Sequence, residues 1–316
     1  MNSLMDDNKV LTLASNERIP LKPYMRLIFE VDSMEYVTPA SVSRGGVVYL
    51  SLETGSQWRN ILGSWIRSQP DVLFDDADRE RIQKIFDKYF PETLNFFRLN
   101  LKGIIEKNDV GLVTAVLHAL NAMLNREIIV DETSLETTFV FCFVWGFGSF
   151  LSIGPDGTNY PQIFNDFVRS KFKTVKIPSR DTIFDYWLDT RTNKFESWKN
   201  SPAFKAVVFD SDRMNMSQIM IPTVETASVA FWVNLLVING MNVMLAGPAG
   251  TGKTALVNGM LSNLKPDYHI GATVNMNYYT TAAVLLQNLE ASLSKRTGSS
   301  YGPPGSAKQV FFLDGM

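Results

Sequence analysis

Apolar positions change their spacing three times along the chain, and each change predicts a different kind of structure. Residues 26–31, Arg-Leu-Ile-Phe-Glu-Val, and 46–51, Gly-Val-Val-Tyr-Leu-Ser, are short runs of β-branched and aromatic residues that predict strands. Between them the small residues Thr38-Pro39-Ala40-Ser41-Val42-Ser43-Arg44-Gly45-Gly46 predict a short helix ending in a sharp turn. From about Ser56 to Asn200 the period becomes helical. Ile82, Ile85, Phe86, Tyr89 and Phe90 fall at i, i+3, i+4, i+7 and i+8, one apolar face of a helix, and Val113, Val116, Leu117, Leu120 and Leu124 repeat the spacing. Glu136 to Phe150 is apolar nearly all round, which predicts a helix buried in a bundle. Within that helical stretch, Gly154-Pro155-Asp156-Gly157, Pro178 and Asn200-Ser201-Pro202, with Pro222 beyond it, break up residues 152–225, read as a looped connector with a few short elements. Ala227 to Asn239 turns helical again. After Gly240 comes an alternation: strand Val243–Ala246, a glycine loop, a helix from about Thr251 to Leu264, strand Tyr268–Asn275, a helix, and strand Gln309–Leu313. Strands alternating with helices predict α/β architecture with a parallel sheet.

Composition narrows the function classes. The 316 residues carry 30 basic and 32 acidic side chains, a net charge of −2, which gives no electrostatic reason to expect nucleic acid or an anionic membrane as partner. The most apolar window, Phe139 to Leu151, is shorter than the roughly 20 residues a helix needs to cross a bilayer. The acidic, polar start from Met1 to Val10 has no signal-peptide pattern, and cytoplasm is the expected compartment. One cysteine, Cys142, allows no internal disulfide, and with His118 and His269 the only histidines no metal cluster of credible spacing is expected. The tryptophans Trp187, Trp198 and Trp232 and the aromatics of 139–150 are expected to be core packing.

One motif carries chemistry. Gly247-Pro248-Ala249-Gly250-Thr251-Gly252-Lys253-Thr254 satisfies G-x-x-x-x-G-K-[ST] and lies between a predicted strand and a predicted helix. Glycines let backbone N–H groups wrap phosphates, and the helix N-terminus favours the same negative charge. Lys253 is then expected to reach the β- and γ-phosphates and Thr254 to ligate Mg²⁺, with ATP the expected nucleotide. Ala255 extends the contact set into the helix. Asp314, ending the apolar strand Val310-Phe311-Phe312-Leu313, is placed to hold Mg²⁺ through water. P-loop ATPases that activate a water commonly carry a glutamate next, and here the next residue is Gly315. The site is therefore expected to bind ATP without its general base, and Met316, where the sequence stops, is read as the edge of a fragment. A free-standing P-loop kinase or GTPase is the competing reading, but about 240 residues precede the loop and no Asn-Lys-x-Asp guanine-reading motif is present. A third reading keeps the nucleotide as a structural ligand, and Gly315 favours it.

Taken together, these motifs resemble the motor ring of dynein heavy chains from about Leu4 to Met316. Met5 to Pro20 is similar to the stretch after the Walker B strand of the second AAA+ module, and Thr38 to Gly46 to its arginine-finger segment. Leu73-Phe74, Phe86 to Tyr89 and Phe143 to Gly148 resemble its helical small domain. Ile183 to Tyr186 and Ile221 to Thr226 resemble the connector into the third module, which would own the P-loop. Asn275 to Thr281 and Tyr301 to Gly305 lean toward the axonemal outer-arm type.

The resemblance implies a division into the end of one AAA+ large domain (1–55), a helical small domain (56–152), a connector (153–225) and the start of the next large domain (226–316), both α/β parts being incomplete. It implies that Arg44 is an arginine finger directed at the first module's nucleotide and that Ile221 to Thr226, Thr223 included, lies near the adenine. Without the resemblance Arg44 would be a solvent-exposed turn arginine, and Asp6 and Asp7 a solvated or helix-capping pair. It further implies an ATP or ADP site that regulates a motor whose main hydrolysis happens elsewhere, with the fragment alone inactive. Implied partners are the other AAA+ modules, dynein intermediate and light chains, and microtubules through other parts of the heavy chain. The implied setting is the cytoskeleton of a cilium or flagellum.

Overall fold

A computed structural model describes residues 2–50, 57–106, 108–204, 221–298 and 300–315. Ser51 of the second predicted strand, the expected boundary at residue 55, residues 205–220 of the connector and Met316 lie outside the described residues. Contacts divide the chain into two compact units, Met1–Thr54 and Gly55–Met316.

In the first unit a short helix α1 (Asn2–Met5) precedes an antiparallel ribbon, β1 (Val10–Thr12) with β2 (Arg18–Pro20). Thr38 caps α2 (Pro39–Val42), accepting from Ser41 N, and Pro39 at the first helical position fixes φ where no N–H is needed. The short helix and turn expected at 38–46 are therefore present. The strands expected at 26–31 and 46–51 are not: Arg26–Val31 and Gly46–Leu50 form no ladder. Their residues have strand composition, but a strand exists only by pairing, and no described strand runs beside them. Their apolar side chains stay in solvent, Ile28 at 94%, Val48 at 82% and Tyr49 at 81% exposed.

The second unit opens as a helical bundle: α3 (Gln57–Ser68), α4 (Asp76–Asn100), α5 (Asp109–Met123), α6 (Arg126–Val130) and α7 (Glu132–Gly148). The face read from 82 to 90 is the buried one, with Ile82, Phe86 and Phe90 inaccessible to solvent. The start of α4 is fixed twice. Asp75 accepts from Asp78 N, and Asp78 accepts in return from Asp75 N. The fully buried Asp78 carboxylate also holds Arg81 and Arg126, so the charge is not left alone in the core. Phe139, Val140, Phe141, Cys142 and Phe143 are all buried, because α7 is surrounded on every side, as its apolar circumference predicts.

The stretch read as a looped connector holds a full helix, α8 (Tyr160–Lys171), and an antiparallel hairpin, β3 (Tyr186–Asp189) with β4 (Lys194–Ser197). Phe164, Phe167, Val168, Trp187 and Trp198 join the same core as the bundle. Next, α9 (Val224–Ile238) spans two cores: Trp232 and Phe231 pack into the bundle, while Val233, Val229 and Val237 pack with Leu256, Val257 and Met260. Its apolar circumference reflects two buried faces on one helix.

The α/β part follows: α10 (Lys253–Ser262), β5 (His269–Asn275), α11 (Ala282–Ala291), a short ribbon β6 (Ser294–Lys295) with β7 (Tyr301–Gly302), and β8 (Lys308–Asp314). β5 and β8 run parallel in register from His269 opposite Lys308 to Asn275 opposite Asp314. Two of the three expected sheet strands thus stand where they were read. Val243–Ala246 runs into the loop without a ladder, since no described strand lies at its edge. Among the described residues no helix is long and apolar enough to cross a membrane.

Candidate nucleotide-binding site

Leu245 below the loop and Leu256, Val257 and Met260 on the buried side of α10 pack with Phe312 of β8. That small core holds the loop 247–252 against the end of the β5–β8 sheet. The loop is open to solvent and bends through Gly250 at φ +81° and Gly252 at φ +82°, left-handed values that favour glycine. Gly252 caps α10 without any side-chain hydrogen bond, so the N–H groups of the first helical turn remain available to an anion and share the helix's positive end.

Lys253 folds back over its own loop. Its Nζ donates to Gly247 O at 2.8 Å and Pro248 O at 2.6 Å, and lies 3.4 Å from Thr251 Oγ1. Thr251 Oγ1 in turn donates to Pro248 O at 2.9 Å. The ammonium is thereby centred over the loop that its donors would share with phosphate oxygens. The neighbouring Thr254 hydroxyl donates to Asp314 Oδ1 at 3.1 Å, joining the helix start to the strand end. A hydroxyl and a carboxylate so placed at the foot of a phosphate cradle are hard oxygen donors suited to Mg²⁺. The residues present fit a nucleotide polyphosphate with its magnesium. Among the described residues no group of three or more His, Cys, Asp or Glu could hold a metal by itself, so a cation there would draw its remaining ligands from phosphate and water.

The structure brings Gly247 to Thr254 and Asp314 into one place, with Ala255 exposed in the first turn of α10. The other candidates are held by local hydrogen bonds. Thr223 caps α9, accepting from Thr226 N at 3.1 Å while Thr226 Oγ1 accepts from Thr223 N at 2.8 Å. Arg44 belongs to the first unit, where it donates to Ala40 O at 2.8 Å and forms an ion pair with Asp6 at 3.4 Å. Asp6 is thus Arg44's partner as well as an acceptor for Asp7 N.

Sequence reasoning singled out Gly315 for its missing carboxylate but not for its conformation. Its φ is +94°, and a Cβ built on it would lie closer than 3.0 Å to the Met276 carbonyl oxygen. The signal lay only in the glycine itself, standing where an acidic residue was expected.

Comparison with known proteins agrees with this geometry. A sequence family described as the P-loop containing dynein motor region matches residues 209–316, and the dynein heavy chain AAA lid domain matches residues 82–200. Dynein axonemal heavy chain 9 of Homo sapiens is 40% identical over 320 residues, covering 100% of this chain and 7% of its own length. The ciliary dynein beta chain of Tripneustes gratilla is 40% identical over 321 residues, again 100% of this chain and 7% of its own. The flagellar outer-arm dynein alpha chain of Chlamydomonas reinhardtii is 34% identical over 330 residues with the same coverage. The chain therefore spans a small part of the curated relatives it matches. With a P-loop, a lid-type helical bundle and a match that runs its whole length, it belongs to the dynein heavy chain family.

Proposed function

We propose that the chain is a nucleotide-holding part of a dynein motor ring, binding ATP or ADP with Mg²⁺ at the Lys253 loop. The observation that carries this is the Thr254–Asp314 hydrogen bond, which sets a magnesium-type donor pair beside a lysine and a glycine-lined helix N-terminus. Gly247 to Thr254 and Ala255 would contact the nucleotide, with Thr254 and Asp314 on the metal side. Thr223 would lie near the adenine, and Arg44 would serve the nucleotide of a neighbouring module. The four-part division at 55, 152 and 225 goes with this reading, the P-loop belonging to the third AAA+ module and the bundle to the second.

In that setting the Lys253 site regulates a motor whose main hydrolysis lies elsewhere. The relatives' names, axonemal, ciliary and flagellar, support ATP-driven movement of a cilium or flagellum as the wider role. Other ring modules, intermediate and light chains, and microtubules reached through other parts of a heavy chain would be the partners.

The test is binding of a fluorescent ATP analogue with Mg²⁺ to wild type and to Lys253→Ala. Removing the charged donor should weaken affinity by about 10–100-fold, the worth of one or two charge-assisted hydrogen bonds. Equal affinity in the two proteins, or none in the wild type, would sink the reading.

A further inference from the structure

Gly315 follows Asp314 directly, at the position where a water-activating carboxylate would stand in a hydrolysing P-loop site. The backbone there is closed. The positive φ disfavours any residue with a side chain, and the missing Cβ is the space filled by the Met276 carbonyl oxygen. Nor can Met276 withdraw freely. Its N–H donates to Asp314 O at 2.7 Å, extending the β5–β8 pairing by one bond. Beyond it Asn277 closes a turn, its N–H donating to Thr280 Oγ1 at 2.9 Å, its Oδ1 accepting from Tyr279 N at 2.9 Å and its carbonyl from Thr280 N at 3.0 Å. The carbonyl that blocks position 315 is therefore tethered on both sides. Asp314 cannot take over the role, because it is held by Thr254 at the expected metal position. Among the described residues it is the one carboxylate hydrogen-bonded to the loop or to the first turn of α10.

We propose that residue 315 is structurally closed to a side chain, so that the site holds a nucleoside triphosphate without turning it over and a single added carboxylate cannot restore hydrolysis. The second half of this statement rests on the nucleotide-binding reading; the first does not, and the experiment separates them.

Gly315→Ala and Gly315→Glu are compared with wild type in the 316-residue chain. The first readout, amide hydrogen exchange at Met276, needs no nucleotide. Strain at a left-handed non-glycine residue should speed that exchange by roughly tenfold in both variants. The second readout is phosphate release from Mg-ATP, expected to stay at the buffer blank in wild type and in Gly315→Glu. Unchanged Met276 exchange in the alanine or glutamate variant overturns the closed position. Phosphate release by wild type, or gained in Gly315→Glu, overturns the non-hydrolysing site. If the wild type binds no ATP, the nucleotide reading fails by its own test while the exchange readout still decides whether position 315 is closed.

Discussion

His118 on α5 is partly buried, and that burial pushes its imidazole below the ordinary 6.5 by disfavouring the charged form. The unfolded chain then takes up a proton at a higher pH than the folded one. Stability should be greatest above about 6.5 and should decline as the pH falls from there toward the lowered folded value. Guanidinium midpoints at pH 7.5 and 5.5 check this: the wild type should lose stability on acidification, and His118→Gln should lose measurably less. Glu136 titrates in a different window. Burial raises its carboxyl, yet hydrogen bonds from Lys88 and Tyr89 outweigh that and hold it below its usual value, so its contribution is lost only at lower pH. At this scale the sequence was only partly readable. Lys253, Thr254 and Asp314 could be named because a contiguous motif and a strand end announce them. The left-handed turn at Gly315 could not, since it depends on a carbonyl from a distant part of the chain.

Where α7 crosses α5, Gly146 faces Val116. A Cβ at 146 would stand 2.5 Å from Val116 Cγ2 and 3.0 Å from Val116 N, so the backbones approach more closely than any side chain allows. Gly146→Ala should overpack the crossing and cost about 1–3 kcal/mol despite alanine's better helix propensity. A urea midpoint raised by the substitution would show that the helices can part freely. The helices themselves were legible where the 3.6-residue period ran unbroken, as in α4 and α5, or where a long apolar run signalled burial on all sides, as in α7. The helix α8 was hidden by Gly154-Pro155 and Pro178 on its flanks, although Asn159 caps it and Ile163, Phe164, Phe167 and Val168 mark its apolar face. Strands were the harder elements. All five segments were read as strands from composition, but only β5 and β8 form, each having a partner, whereas 26–31, 46–51 and 243–246 lack one among the described residues. Composition reports what a strand is made of, and pairing depends on residues elsewhere.

For the molecule as a whole, the exposed apolar segments of the first unit are expected to govern its association in solution. Ile28, Val48 and Tyr49 are exposed apolar side chains outside any ladder, the kind of surface that favours association between chains. A triple substitution Ile28→Lys, Val48→Lys, Tyr49→Lys should reduce concentration-dependent light scattering, and undiminished scattering would place the sticky surface elsewhere. The second unit joins its bundle to its nucleotide loop through α9, and the joint is aromatic. Trp232 of α9 stacks on Phe141 at 5.2 Å and lies 5.9 Å from Trp145 of α7 at an interplanar angle of 46°. Neither indole N–H finds a hydrogen-bond partner, so both chromophores sit in apolar surroundings and should emit at short wavelength. Two indoles this close couple their electronic transitions, and the coupling depends steeply on their separation and tilt. Since α9 leads directly into the Lys253 loop, the chain carries its own optical gauge: Mg-ATP that shifts α9 against α7 would change tryptophan emission and the near-ultraviolet dichroism with no dye attached.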